Sequence, residues 1–280
     1  MEKIRKYFGG IDITWPKLII FAVASAVVTA VLNEIPILHG TSFADIAIAF
    51  ECWFLFAIII ITNSKKMIEA VLKCFVFFLI SQPLIYLIEV PFEPLGWGVF
   101  GYYRRWFIFT VLTIPGAAIA YLVKKKNLLS VFILSVATGY CAYAAVTYAR
   151  SAAADFPHHL LSAVFCAVLS LFFIFVLLDK RMHRILAIAI VVAVTVVSVF
   201  VTKVNKVEEI VLDDGSWVCE IQDENIVDVE MTDGNRAAVT AENEGGSLLT
   251  FTDENGNAYE YYATVSGGGL WIDDLGPVEE

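Results

Sequence analysis

Charged side chains are scarce in this sequence. They make up 17% of its 280 residues, whereas a typical soluble protein has roughly 25%. Hydrophobic residues make up 59%. A soluble protein of this length could not hide so much apolar surface in one core, so the composition predicts that lipid covers part of the molecule.

The sequence also lacks the motifs of common catalytic and nucleotide-binding families. It contains no Walker, Rossmann or kinase motif and no Cys-x-x-Cys pair. Four of its five cysteines lie in apolar segments, and only one lies in the C-terminal region, where no internal disulfide can therefore form. The five are Cys52, Cys74, Cys141, Cys166 and Cys219. We therefore expect no cofactor and no disulfide framework. Among the functional classes considered, an enzyme is less favoured than a non-enzymatic protein.

Positive charge is nearly absent from the end of the chain. Residues 204–280 contain nineteen acidic residues but only Lys206 and Arg236, whereas residues 1–203 contain seventeen basic and ten acidic residues. This contrast predicts a basic multi-span transmembrane domain at 1–203 and an acidic extracytoplasmic domain at 204–280. It leaves no strongly basic surface for nucleic acid.

Seven apolar stretches have about the length that a bilayer-spanning helix needs. We place them at 18–33, 44–62, 68–89, 106–123, 128–149, 160–178 and 185–202, and we expect the first to be a retained helix.

Most basic residues of the first domain would then fall on one side of the bilayer. They are Lys3, Arg5, Lys6, Lys17, Lys65, Lys66, Lys124, Lys125, Lys126, Lys180, Arg181 and Arg184. Because cytoplasmic loops are enriched in Lys and Arg, the bias predicts a multi-pass cell-membrane protein with a cytoplasmic N-terminus and an extracytoplasmic C-terminal domain.

The predicted outer loop at 91–106 is rich in glycine and aromatic residues. It is typical of an interfacial anchor, and the alternative is a re-entrant segment or lid over an outward cavity. Arg104 and Arg105 lie on the predicted outer side, where the charge bias leads us to expect few basic residues. We expect them either to pair with Glu89 or Glu93 or to lie in the membrane interface.

The C-terminal region alternates short apolar and polar runs separated by turn signals. The predicted strands are Val207–Leu212, Ser216–Ile221, Ile226–Met231, Arg236–Ala241, Ser247–Thr252, Ala258–Val265 and Leu270–Ile272. Seven short strands with turns every 8–12 residues predict a small all-β sandwich. Trp217 and Tyr262 are its predicted core aromatics.

Short motifs within these strands carry a family resemblance. They are Ser216-Trp217, then Ile226-Val227-Asp228-Val229, then Val239-Thr240-Ala241, then Gly245-Gly246-Ser247-Leu248-Leu249-Thr250. Residues 207–266 resemble the bacterial Ig-like domain, group 2, although Cys219 and Glu220 replace the usual serines after the tryptophan. The resemblance implies a bacterial envelope domain used for binding or spacing, and it implies no catalytic residue.

Glu51 is the most unusual residue of the apolar stretches. It lies about eight residues from the outer end of the predicted second span, hence ~12 Å deep at 1.5 Å per residue. A carboxyl at that depth usually faces the protein interior or a cavity. Glu51 is therefore either a proton or cation site, or a carboxyl that pairs with a neighbouring helix.

Several other ionisable residues are predicted on the outer side of the membrane: Glu34, His39, Asp45, Glu89, Glu93, Arg150, Asp155, His158 and His159. Histidines with acids could build a zinc site. Against that, His158 and His159 are adjacent and no His-x-x-x-His spacing occurs. Residues 253–257 fit a hairpin turn better than a calcium loop, since the calcium-loop spacing is not met.

Together these patterns predict an integral membrane interaction protein. Its Ig-like domain would bind an extracytoplasmic protein or an envelope polymer through residues 207–266, while its helices contact the lipid bilayer. One alternative is a transporter or channel that uses Glu51 and carries the outer domain as a cap. A second is a membrane-embedded hydrolase that uses the outer histidines and acids.

Overall fold

A computed structural model describes residues 8–38, 41–92, 96–154, 156–201, 206–213, 215–233, 235–243, 245–266 and 269–278. The chain divides into two compact units, residues 1–146 with 161–200 and residues 147–160 with 201–280. The predicted domain boundary at 203–204 lies outside the described residues.

Eight α-helices occur in the described part of the chain. They are α1 (Trp15–Glu34), α2 (Ser42–Ile48), α3 (Phe50–Asn63), α4 (Met67–Glu89), α5 (Phe100–Tyr121), α6 (Leu128–Ala154), α7 (Leu160–Leu177) and α8 (Arg181–Val201). Within those residues, six helices are long and apolar enough to cross a membrane, and the bent pair α2–α3 would make a seventh span. This is the architecture of a multi-pass membrane protein.

The helical unit buries its apolar side chains in two clusters. The first surrounds Phe77 of α4 and includes Trp53 of α3 and Leu18 of α1. The second surrounds Phe173 of α7 and includes Val131 of α6. Many other apolar side chains of these helices are exposed, as expected of helices whose outer surface meets lipid.

One predicted span is not a single helix. The stretch predicted at 44–62 breaks at Ala49, whose extended backbone (ψ 141°) ends α2 and precedes α3. The two helices meet at a bend of 48°. The break frees carbonyl groups that a continuous helix would use, and the hydroxyl of Thr29 in α1 donates to the Ala47 carbonyl at 3.3 Å. A neighbouring helix thus supplies part of the hydrogen bonding that the break removes.

The predicted loop at 91–106 also differs from the structure. Helix α5 begins at Phe100, so Arg104 and Arg105 lie in its first turns and not in a loop. Both side chains are exposed. Glu93 lies outside the described residues, and Glu89 is buried at the end of α4.

The C-terminal region forms two antiparallel sheets in its described part. The strands are β1 (Val207–Val211), β2 (Trp217–Ile221), β3 (Val227–Asp233), β4 (Arg236–Ala241), β5 (Gly245–Asp253), β6 (Ala258–Ser266) and β7 (Gly269–Pro277). One sheet has the order β1-β4-β3 and the other has the order β2-β5-β6-β7. Buried residues of both sheets, including Val227, Val239, Leu249, Phe251 and Ala263, form one shared apolar core.

Each predicted strand is present, but β7 runs to Pro277 instead of ending at Ile272. The part of β7 beyond Ile272 continues its pairing with β6 through a register shift opposite Glu260 and Tyr261. Gly276 sits at this shift with φ +89°, a backbone conformation that favours glycine.

Tyr262 is not the core aromatic that was predicted. Its backbone pairs with that of Leu248 on the outer face of the four-stranded sheet, whereas Tyr261 pairs with the buried Leu249. The Tyr261 ring instead packs edge-on against Phe251, with a centroid distance of 5.6 Å. Trp217 is half-buried against the core, as predicted.

Residues 253–257 form the hairpin turn between β5 and β6. The Asp253 carboxylate accepts the backbone N–H groups of Asn255 and Asn257, each at 2.8 Å. Hydrogen bonds from the side chain and backbone of Asn257, together with those from Asn255, hold the pKa of Asp253 below its ordinary value of 3.8. This carboxylate therefore stabilises the turn above that value, and its contribution is lost as the pH falls through the lowered pKa.

Truncation of the β-core should unfold the C-terminal region more easily. Phe251 is fully buried, so Phe251→Ala should lower the free energy of unfolding by about 3–5 kcal/mol. Pulse proteolysis of the full chain in detergent micelles across a urea series measures this loss. The control is Val218→Ala, since Val218 is 68% exposed. Equal losses in the two variants would contradict the assigned core.

Candidate functional site

Two carboxyl groups lie buried beside the break between α2 and α3. Asp45 of α2 is 5% exposed, and Glu51 in the first turn of α3 is 2% exposed. The structure brings these two predicted residues close enough to interact electrostatically. Buried carboxyls in an apolar bundle are costly, so their presence marks a candidate functional site.

Helix α7 is tied to α2 at this site. The Ser162 hydroxyl donates to Asp45 Oδ2 at 2.8 Å, and the Ser162 backbone N–H donates to the Ser42 hydroxyl at 3.1 Å. Ser42 and Ser162 are themselves buried. These contacts give Asp45 a fixed orientation and connect the broken span to a helix distant in sequence.

The neighbours of Glu51 are less polar than those of Asp45. The residues in electrostatic range of its carboxyl include Tyr140 and Cys141 of α6 and Cys166 of α7. No cationic side chain appears among these neighbours, within the described part of the chain. A proton or a small cation would reduce the repulsion between the two neighbouring carboxylates. The N-terminal turn of α3 acts in the opposite direction, because it favours negative charge on Glu51.

A second buried polar contact joins α1 to the end of α4. The Asn33 side-chain amide donates to Glu89 Oε1 at 3.2 Å, and Glu89 is only 4% exposed. Glu34, the last residue of α1, is half-buried. The hydrogen bond between Asn33 and Glu89 joins the ends of two long helices, which is a packing role.

The remaining predicted residues do not assemble into a metal site in the described structure. Arg150 is half-buried, His158 is exposed and His159 is fully buried. His39 and Asp155 lie outside the described residues. Among the residues that are described, no group of three or more His, Cys, Asp or Glu side chains could hold a metal ion.

Sequence reasoning missed Ser42, Ser162 and Thr29, which support the buried carboxyls and the helix break. The only signal was a small polar residue within an apolar stretch. Such residues also bond the carbonyl one turn earlier in their own helix, as Ser135 does to Val131 at 2.8 Å. Composition alone cannot separate the two roles.

The outer face of the four-stranded sheet is a separate candidate surface, which we define by Val218, Glu220, Leu248, Thr250, Thr252, Glu260, Tyr262, Thr264, Trp271 and Asp273. Trp271 is 56% exposed and Val218 is 68% exposed. The rings of Trp271 and Tyr262 lie over Gly269 and Gly246, where an added Cβ would meet ring atoms within 3.0 Å. Absence of a side chain at these glycines lets both rings rest against the sheet.

Comparison with known proteins identifies no relative. No protein-family model matches the chain, and neither the curated proteins nor the solved structures give a match. The resemblance of residues 207–266 to the group 2 bacterial Ig-like domain therefore stays a prediction.

Proposed function

We propose that this chain is a membrane-anchored interaction protein that presents an Ig-like β-domain outside the cell membrane. The observation that carries the proposal is the outer face of the four-stranded sheet, where a tryptophan and a valine are largely exposed on a domain that has its own separate core. Exposed tryptophan on an ordered sheet is typical of binding surfaces.

The distribution of charge supports the orientation. The loop after α5 carries Lys124, Lys125 and Lys126, and the turn before α4 carries Lys65 and Lys66, all of them exposed. Cytoplasmic loops favour such residues. The acidic β-domain would be repelled from anionic headgroups, which keeps its outer face available to a partner.

The partner class is an extracytoplasmic protein or an envelope polymer. An exposed indole ring on a sheet face can pack against an apolar protein side chain or stack on a sugar ring, and Thr264, its cross-strand neighbour, carries a hydroxyl group. Nucleic acid does not fit this acidic domain, because phosphate binding requires clustered positive charge.

Removal of the Trp271 ring should weaken partner capture. Cross-linking on intact cells, followed by quantitative mass spectrometry, should show about a thirtyfold or larger loss for Trp271→Ala, because a central interface tryptophan contributes about 2 kcal/mol or more. Val211→Ala is the matched control, since Val211 is 62% exposed on the other sheet. Equal capture by both variants and the unaltered chain would contradict the proposed surface.

The broken span favours a second candidate function, transport coupled to a proton or cation at Glu51. Discontinuous membrane helices place helix ends and buried carboxyls at the substrate or ion sites of many transporters. Here the break at Ala49 places Glu51 in the first turn of α3, with Asp45 in the preceding helix.

Neutralisation of Glu51 tests that candidate. In proteoliposomes loaded with a pH-sensitive dye, we expect a voltage-driven proton flux that Glu51→Gln reduces by about tenfold or more, as loss of a proton-carrying group would. Glu89→Gln makes the same charge change at a buried site held by Asn33 and should retain the flux. A proton flux unaffected by Glu51→Gln, or absent from the unaltered protein, would exclude a proton pathway through Glu51.

A further inference from the structure

A large apolar groove lies within the helical unit. Its volume is about 930 Å³, and its walls come from α3, α4, α5, α6 and the end of α7. The groove runs between the two apolar clusters, since Trp53 and Phe78 of the first cluster and Leu134 of the second all line it. Ligand pockets typically measure about 300–1,000 Å³, so the groove has the capacity for a lipid-sized molecule.

The two ends of the groove differ in chemistry. Phe50, Trp106 and Phe109 line one end and pack against one another, with the Phe50 and Trp106 ring centroids 4.8 Å apart. Thr62, Lys124, Lys126 and Asp179 line the other end. The length between them is mostly aliphatic and aromatic, with Thr110 and Thr113 as neutral polar residues. The second end alone has charged lining residues and is therefore the one that can receive a charged group.

Lys124 is the cation of this end that can accept an anionic ligand. Its ammonium donates to the carbonyls of Thr62 and Ser64 at 3.1 and 2.6 Å, and it lies 5.0 Å from the centroid of the Tyr121 ring. An ammonium has three N–H donors, so one remains for a further acceptor. Lys126, by contrast, forms an ion pair with Asp179 at 2.5 Å.

We propose that this groove binds an acyl chain of an anionic membrane lipid, with the lipid phosphate at Lys124. The apolar walls suit an acyl chain, and the positive charge at one end suits an anionic headgroup. A groove among membrane-spanning helices can be filled by lipid from the bilayer. Exposed Lys65, Lys66 and Lys125 raise the positive potential around the same end. The proposal is independent of the function assigned to the β-domain.

Two glycines of α5 allow a matched test of the chain-binding part. A Cβ atom added at Gly116 meets no atom within 4 Å, and Gly116 lines the groove. Gly101 is equally open but lies outside the groove lining. Gly116→Leu should therefore add side-chain volume at the groove wall with its Cβ in open space, and Gly101→Leu is its control in the same helix.

The experiment is native mass spectrometry of the full chain in micelles that contain equal amounts of phosphatidylglycerol and phosphatidylcholine with identical acyl chains. We expect the unaltered protein and Gly101→Leu to retain phosphatidylglycerol preferentially and Gly116→Leu to lose most of this retained lipid. Equal retention of the two lipids by the unaltered protein, or full retention by Gly116→Leu, would overturn the proposal.

Lys124→Gln tests the headgroup position, with Lys125→Gln as the control at a neighbouring lysine outside the groove lining. One lysine beside an anionic headgroup corresponds to about a fivefold preference, so Lys124→Gln should lower the ratio of phosphatidylglycerol to phosphatidylcholine by about that factor and Lys125→Gln should change it less. A variant that merely misfolded would lose both lipids. An unchanged ratio in Lys124→Gln, or an equal drop in both variants, would overturn the assignment of the phosphate to Lys124.

Discussion

Hydrocarbon offers no hydrogen bonds to a polypeptide backbone, and the helical part of this protein is organised around that constraint. A helix satisfies its own backbone, so long apolar helices can lie in lipid without further partners. Where the chain departs from a helix at Ala49, the freed carbonyl of Ala47 must find a donor, and Thr29 provides it. Helix α1 thus supplies a hydroxyl to the break itself, and Ser162 of α7 supplies one to the neighbouring Asp45.

Because hydrocarbon offers no hydrogen bonds, each buried carboxyl also needs a partner within the protein. Asp45 is held by Ser162, whereas Glu51 has a set of weakly polar neighbours from α6 and α7. A carboxyl that only joined helices would need a donor such as the one Asn33 gives Glu89. The contrast between Glu89, with a side-chain donor, and Glu51, which lies beside another acid, is the physical basis for treating the helix break as a site and the end of α4 as packing.

Much of the architecture follows from the sequence, because hydropathy and strand alternation report burial directly. Each predicted span coincides with a helix or with the bent pair, and each predicted strand is present.

The break at Ala49 could not be predicted, since alanine is a good helix former and the donors that stabilise the break come from distant residues. The choice between Tyr261 and Tyr262 as the core aromatic likewise depends on the register with β5, which a run of consecutive tyrosines does not specify. Of the candidate site, Glu51 and Asp45 were visible as charges in apolar stretches, while Ser42 and Ser162 were not.

The proposed function requires that the β-domain and the lysine-rich loops lie on opposite sides of the membrane. Labelling of intact cells with a membrane-impermeant maleimide tests this requirement most directly, using Ser216→Cys before β2 and Lys125→Cys after α5, both at exposed positions. The native Cys219 contributes little background, because burial and the nearby Glu220 raise its pKa to about 11 and its reactive thiolate is scarce at neutral pH. We expect Ser216→Cys to be labelled in intact cells and Lys125→Cys only after the cells are permeabilised. Labelling of Lys125→Cys alone in intact cells, or of both positions equally, would contradict the account.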